Sequence, residues 1–240
     1  MSESFELHSQ RAARLIAMGQ MAASMAHEIR NPLGSMELFC TLLKKDLSSQ
    51  PDLYQLAEQM HESIKVLDRI IANCLEFTRD RSAKLKTIPS VEDYFAQILR
   101  DAGPKADAKG ITIETELVGE LAPQADPYLL KQALLNLVFN AIDAAAEGGK
   151  HVKLFSNTSD SAAWVIKITD NGSGIPDEVR ERIFEPFYTT KDEGTGLGLA
   201  IVHSLISAHD GTLSLSSEPG EGTEITISIP QPSGANGGQS

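Results

Sequence analysis

The sequence predicts a multidomain chain of two modules. An all-α helical hairpin pairs with a second copy as a dimeric four-helix bundle, and an α+β sandwich follows it. Three observations carry this. Apolar residues recur at helical spacing on both sides of one breaker-rich turn near residue 50. Beyond residue 88, helical segments are interspersed with short alternating strands. Between the two regions runs a charged stretch with little apolar patterning at its centre.

The composition narrows the class further. With 240 residues, 41% apolar and 22% charged, the chain suits one or two packed domains. A net charge of -12 without any basic block argues against nucleic acid as a partner. No run approaches the roughly 18 apolar residues of a membrane span, and the first ten residues lack the pattern of a secretory signal. No membrane span and a cytoplasmic location are therefore expected. Cys40 and Cys74 fall on apolar helix faces as small hydrophobes, with no further Cys or His at metal-ligand spacing.

An extension of residues 1–8 leads into the hairpin, residues 9–81. On a seven-residue frame Leu15, Ala22, Ile29, Met36 and Leu43 share one column of the first helix. Met18, Met25 and Phe39 lie three residues further on, and Ala26, Leu33, Cys40 and Leu47 four further on. Ser48-Ser49-Gln50-Pro51-Asp52 stops this helix and caps the next. The second helix repeats the pattern with Leu53, Met60, Leu67 and Cys74, flanked by Leu56, Ile70 and Phe77 and by Ala57, Ile64 and Ile71. Two helices cannot bury two stripes this wide, so a homodimer is expected. On this pattern alone, a dimerisation module without chemistry is as well supported as a catalytic one.

His27 falls outside all three columns, on the outward face of the first helix. A lone exposed histidine is ordinarily without function, but Glu28 adjoins this one and Asn31 lies one turn along. A nucleophile, a base and a water-orienting amide thus face one incoming group. Pro32 removes a backbone donor, so a bend or loosened turn is expected beside them.

Residues 82–88 read as a linker, 89–230 as the second domain and 231–240 as a disordered Gly-, Ser- and Pro-rich tail. Ser90, with Asp93 three residues on, caps a helix whose apolar face is Val91, Phe95, Ile98 and Leu99 and which ends near Gly103-Pro104. Residues 111–117 alternate as a strand. Asp126-Pro127 opens a helix that runs to about Ala146 and is stopped by Gly148-Gly149. Strands are expected over 152–155 and 164–169, a short helix over 176–183 and a longer one over 198–209. Strands over 212–216 and 224–229 finish as a hairpin about Glu218-Pro219-Gly220-Glu221-Gly222. Grouping without strict alternation predicts helices stacked on one face of a mixed sheet.

Chemistry in this domain concentrates in four places. Asn136 and Asn140 stand one turn apart on a helix, with Asp143 a further near-turn along. An amide oxygen is a neutral hard ligand suited to a Mg2+ that already carries phosphate oxygens. Asp170-Asn171-Gly172-Ser173-Gly174 ends a strand. A buried carboxylate there accepts from an exocyclic amine, while Gly172 and Gly174 let backbone approach a flat ring, although a lone D-N-G is usually only a turn. Gly194-Thr195-Gly196-Leu197-Gly198-Leu199 runs directly into a helix as an array of amides suited to phosphate oxygens. It lacks the Lys-Ser/Thr of a P-loop and the strand-helix spacing of a dinucleotide site. Gly220-Glu221-Gly222-Thr223 reads by itself as a hairpin turn. Residues 184–193, which include Phe184, Phe187, Tyr188 and Lys191, have the composition of an aromatic hinge and a polar lid.

Taken in order behind His27-Glu28-Ile29-Arg30-Asn31-Pro32, these motifs resemble the sensor histidine kinases of two-component signalling over residues 15–230. The resemblance implies a dimerisation and phosphotransfer hairpin phosphorylated on His27, joined to a Bergerat-fold ATP-binding domain. It implies an ATP-dependent protein histidine kinase that passes its phosphoryl group to an aspartate on a response regulator receiver domain. By the same resemblance Asn140 would hold Mg2+, in company with Asn136 and Asp143, and Asp170 would bind the adenine amine with Gly172 and Gly174 beside it. Gly194, Thr195, Gly196, Leu197 and Gly198 would cover the phosphates, Lys191 would help neutralise them, and Thr223 would support the adenine pocket. Glu28 would be the base for His27, and Glu28 to Asn31 matches the E-x-x-N pattern associated with dephosphorylating the partner. Around His27 the sequence is most similar to the nitrogen- and flagellar-regulating branch. Only about a dozen residues precede the first helix, which leaves no room for a sensor. Either the sensor is a separate protein or the chain is a fragment.

Two other classes stay open on sequence grounds. The same ATP-binding fold occurs in ATP-hydrolysing chaperones, mismatch-repair proteins and type II topoisomerases, where a glutamate one turn before the Mg2+ asparagine activates water. Asn136 holds that position here, which favours a histidine acceptor over hydrolysis. The other class is a non-enzymatic dimeric scaffold with a structural nucleotide, against which the cluster of His27, Glu28 and Asn31 argues.

Overall fold

The computed structural model describes residues 29–77, 82–159, 162–180, 182–190 and 195–232. It divides into two compact units, Met1–Asp80 and Arg81–Ser240.

In the first unit, α1 (residues 29–46) and α2 (Pro51–Phe77) form the expected hairpin. One column of each stripe is buried between them, Leu33 and Cys40 from α1 against Ile64 and Ile71 from α2. Polar rungs run beside this seam, Arg30 to Asp68 at 3.2 Å, Glu37 to His61 at 3.9 Å, and Lys44 to Glu58. Such pairs contribute little energy when exposed, but they disfavour a slipped register. Among the described residues of the stripes, Met36, Phe39, Leu43, Leu53, Leu56, Met60 and Leu67 are exposed. Residues 29–46 are helical through Pro32, with the adjacent Leu33 anchored in the seam, and the bend expected beside His27 falls at residues 27–28, outside the described residues.

The second unit is a sheet covered by helices on one face. Its elements in chain order are β1 (Lys86–Thr87), α3 (Val91–Lys109), β2 (Thr112–Val118), β3 (Gln124–Ala125), α4 (Pro127–Ala146), β4 (His151–Asn157) and β5 (Ala163–Asp170). The short helix α5 (Asp177–Arg180), then α6 (Gly198–Ser207), β6 (Thr212–Glu218) and β7 (Gly222–Pro230), complete it. Five strands lie in the order β2-β4-β5-β7-β6. The β2–β4 pair is parallel and the other three are antiparallel, so the sheet is mixed. Period-2 alternation sends Val152, Leu154, Trp164, Ile166, Ile168, Ile225, Ile227 and Ile229 inward. α4 lies across β4, β5 and β7, with α3 and α6 on either side of it over β2 and β6. Trp164 is fully buried, donates from Nε1 to Ser156 Oγ at 2.9 Å and lies against the Tyr94 ring of α3.

Three expectations need correction here. α3 does not end at Gly103-Pro104. It runs through Pro104 to Lys109, because Ala106 beyond the proline is buried and Gly110, at φ 65°, provides the left-handed cap. Part of the stretch 82–88 is built into the sandwich instead of linking to it. Lys86 and Thr87 pair antiparallel with Ala125 and Gln124, and Ile88 is buried. Finally, α4 does reach the length and hydropathy of a membrane span, yet half of that window is buried within the sandwich, where α4 is the core helix.

Candidate functional site

Alternation along β5 decides where Asp170 stands. It ends the inward row Trp164, Ile166, Ile168 and is itself buried, so a carboxylate closes an otherwise apolar face. Its Oδ1 accepts from Gly172 N at 3.0 Å, which turns the chain into the glycine loop. Thr223 of β7 lies directly across the ladder from Asp170, and Ser217 of β6 directly across from Thr223. All three are buried, and cross-strand partners share a face of the sheet.

The glycines of this region are needed where backbone meets backbone. A Cβ on Gly172 would enter the backbone of Ala144 near the end of α4. One on Gly174 (φ 69°) would enter the carbonyl of Glu218, and one on Gly222 (φ 105°) the backbone of Asp170 and Asn171. Hydrogen bonds fasten the same surfaces. Ile175 N donates to Ser217 Oγ at 2.9 Å, Gly220 N to Ser173 O at 2.8 Å, and Arg180 Nη2 to Ser217 O. Asn171 ties the loop to the α4–β4 turn: His151 N donates to its Oδ1 at 2.9 Å and its Nδ2 donates to Gly149 O at 3.1 Å.

On α4 the buried stripe is Leu130, Ala133, Leu134, Leu137, Val138, Ala141 and Ile142. Asn136 and Asn140 lie off it, half-buried. Asn136 Nδ2 donates to Gln132 O at 3.0 Å, which leaves Oδ1 directed elsewhere. A Cβ on Gly198, the first residue of α6, would sit 3.6 Å from Asn136 Oδ1 and 3.8 Å from Asn140 Nδ2. The glycine-rich entry to α6 and the paired amides therefore meet. Leu197 is fully buried and anchors that entry, with its N–H directed at Thr195 Oγ1 at 3.4 Å. Gly196 (φ 65°) lies against the backbone of Phe187 and Tyr188, where a Cβ has no room, so the aromatic loop is packed on the glycine loop. Phe187 is exposed at φ 67°, and Arg182 stacks 4.3 Å over the Tyr188 ring.

Asn136, Asn140, Thr195, Gly196, Leu197 and Gly198 thus form one cluster, and Asp170, Gly172, Gly174 and Thr223 another, with α4 running past both. Asp143 is engaged differently, since its carboxylate takes Lys105 and Lys109 of α3, each at 2.7 Å. His27, Glu28, Lys191 and Gly194 lie outside the described residues. Asn31 is exposed on α1. Sequence reasoning named Asn171 only within the Asp170–Gly174 motif and missed Ser217 and Arg180. For Ser217 a signal existed in its position just before Glu218-Pro219-Gly220, but parity along the strand means little until the register is known.

Comparison with known proteins finds two families in tandem. Residues 17–83 match the His Kinase A (phospho-acceptor) domain, and residues 125–233 match the histidine kinase-, DNA gyrase B- and HSP90-like ATPase. Sensor histidine kinase ZraS of Escherichia coli K12 is 35% identical over 222 residues, 92% of this chain and 47% of ZraS. Sporulation kinase E of Bacillus subtilis is 32% identical over 221 residues, 90% of this chain and 29% of that protein. The chain spans about half the length of ZraS or less of such curated relatives. Among solved structures, full-length ShkA in complex with AMPPNP matches with a TM-score of 0.76 and 28% identity over 89% of this chain and 46% of that one. Histidine kinase ThkA in complex with the response regulator TrrA matches with a TM-score of 0.67 and 28% identity, over 96% of this chain and 66% of that one.

Proposed function

We propose that the chain, which carries the phospho-acceptor and ATPase domains in tandem and is similar to sensor histidine kinases of two-component signalling, binds ATP and Mg2+, phosphorylates itself on His27 and passes the phosphoryl group to an aspartate of a response regulator. The observation that supports this most is the meeting of Gly198 with Asn136 and Asn140, which sets the glycine-rich backbone beside the side-chain amides of both, Oδ1 of Asn136 and Nδ2 of Asn140. Bound Mg2+ would offset charge on the phosphates, and the amides of Asn140 and Asn136 suit it because they add ligands without adding charge. The carboxylate of Asp170 suits the adenine amine, with Gly172, Gly174 and Thr223 shaping that pocket. The backbone around Thr195, Gly196 and Leu197 suits the phosphates, with Gly194 and Lys191 completing the loop. In this reading Glu28 holds a proton on one ring nitrogen of His27 so that the other attacks.

The finer assignments are also proposals. Residues 9–81 would dimerise and carry phosphate, and 89–230 would bind nucleotide. Asn31 would orient the water that hydrolyses the partner's acyl phosphate, a task that needs hydrogen bonds but no ionisation. His27-Glu28-Ile29-Arg30-Asn31-Pro32 supports kinship with the nitrogen- and flagellar-regulating branch. Cytosolic ATP and a cytosolic receiver domain would place the reaction in the cytoplasm, with the signal coming from a separate sensor or from a segment outside this sequence.

Incubation with labelled ATP and Mg2+ should give an acid-labile phosphoramidate. His27→Ala should abolish it while leaving nucleotide affinity in calorimetry near the wild-type value. Acid-labile label retained in that variant would remove His27 from the mechanism. Asn31→Ala should keep most self-phosphorylation and lose most release of phosphate from a pre-phosphorylated partner. A wild-type release rate would refute its role.

A further inference from the structure

Ser217 is almost fully buried, and its hydroxyl has three neighbours. Ile175 N lies 2.9 Å away, Gly222 O 2.8 Å away and Thr223 Oγ1 3.0 Å away. A serine hydroxyl offers one proton and two lone pairs. The amide of Ile175 can only donate, so it occupies one lone pair. The carbonyl of Gly222 can only accept, so it takes the proton. One lone pair remains, and the Thr223 hydroxyl must donate to it. The capacity of Ser217 is then used in full, as a buried hydroxyl requires. Thr223 has spent its only proton on Ser217 and offers nothing but lone pairs to a ligand. Beside it in the ladder stands Asp170, a carboxylate that also only accepts.

We infer that Ser217 is a positioning residue that leaves the Thr223 hydroxyl acceptor-only beside Asp170, so that this pair favours a 6-aminopurine nucleotide over a 6-oxopurine one. The inference rests on the reading that Asp170 and Thr223 hold the base of the nucleotide. A 6-amino group brings two N–H donors to two acceptors. A 6-oxo group brings lone pairs against lone pairs, its base offers a single N1–H where the 6-amino group offers two N–H donors, and the committed Thr223 proton cannot turn to the oxygen. Removing the Ser217 hydroxyl frees that proton to turn towards a 6-oxo oxygen. Discrimination would then fall mainly by improved binding of the wrong base, which general loosening of the pocket would not produce.

The test is calorimetric affinity for ATP and for ITP, which differ at the 6-position and in the proton on N1, in the full chain and its variants. The wild type should prefer ATP, and Ser217→Ala should cut the ATP:ITP ratio about tenfold with ITP binding unchanged or tighter. Ser217→Ala with the wild-type ratio, or with both nucleotides weakened equally, overturns the inference. Thr223→Val removes the acceptor itself and should also reduce the ratio, with Ser217→Ala adding nothing in that background. A wild-type ratio in Thr223→Val overturns the inference even if Ser217→Ala does not fold, as does an additive effect of the two changes. Absence of ATP binding by the wild type would instead overturn the nucleotide-site reading from which the inference starts.

Discussion

Asp126 gathers three backbone donors on two oxygens. Tyr128 N and Leu129 N reach Oδ1 at 3.0 and 3.1 Å, and Lys84 N reaches Oδ2 at 3.0 Å. Its own N–H donates to Nε2 of the buried His209 at 2.9 Å, while His209 Nδ1–H donates to Leu205 O at 2.7 Å. One residue thus caps α4, ties down the chain before β1 and holds the turn after α6. Burial pushes the Asp126 carboxyl up, but the N–H groups of Leu129, Lys84 and Tyr128, with His209 nearby, outweigh it and hold the carboxyl below its ordinary range. Asp126→Ala should therefore cost about 1–2 kcal/mol at pH 6. Because the folded value lies below the unfolded one, that gap should be complete above about pH 4 and shrink as the pH falls through the folded value. Urea unfolding followed by fluorescence of Trp164, the single tryptophan, measures it, and a gap that widens in acid would contradict the argument. The Asp126 cap was legible in the sequence because its helical partners, Tyr128 and Leu129, are local, whereas Lys84 and His209 are not. Asp143 was grouped with Asn136 and Asn140 by helical spacing, whereas its partners Lys105 and Lys109 sit on another helix, which spacing cannot reveal.

At the scale of elements, α3 carries a proline in its interior. Pro104 gives the carbonyl of Arg100 no N–H and crowds it, while Ala102 and Ala106 on either side are buried and hold the helix together. Pro104→Ala should restore that bond and raise stability by about 1 kcal/mol net, the helical gain being reduced by the greater freedom of the unfolded chain. An unchanged or lower thermal midpoint would mean that the proline is already fully accommodated. Tertiary burial overrode the local stop signal here. Long periodic elements such as α4, β5 and β7 were readable for the opposite reason, since their burial follows their own pattern. Two-residue strands have no pattern to read: β1 exists only through its pairing with Gln124 and Ala125, some forty residues on.

For the whole molecule, the exposed stripe of the hairpin is the feature with the largest consequence. Met36, Phe39, Leu53, Leu56, Met60 and Leu67 are exposed on its two helices, and a second hairpin would offer the same residues in return. Leu56→Glu should shift the chain from dimer to monomer in sedimentation velocity, with nucleotide affinity little changed. A variant still dimeric at micromolar concentration would move the interface elsewhere. The wide stripes made this legible from sequence, whereas the proposed base pocket was legible only as separate motifs, because strand order decides that Asp170, Thr223 and Ser217 share a row. That pocket also bears on how the sequence can drift. Gly172, Gly174 and Gly222 each press on main chain, so no neighbouring side chain can shrink to make room for a newcomer. Every amino-acid replacement at these positions adds at least a Cβ, so a compensating second substitution has nothing to trim. Ser214 and Ser216 of the neighbouring β6 are exposed, so replacements there add atoms into solvent and not into main chain.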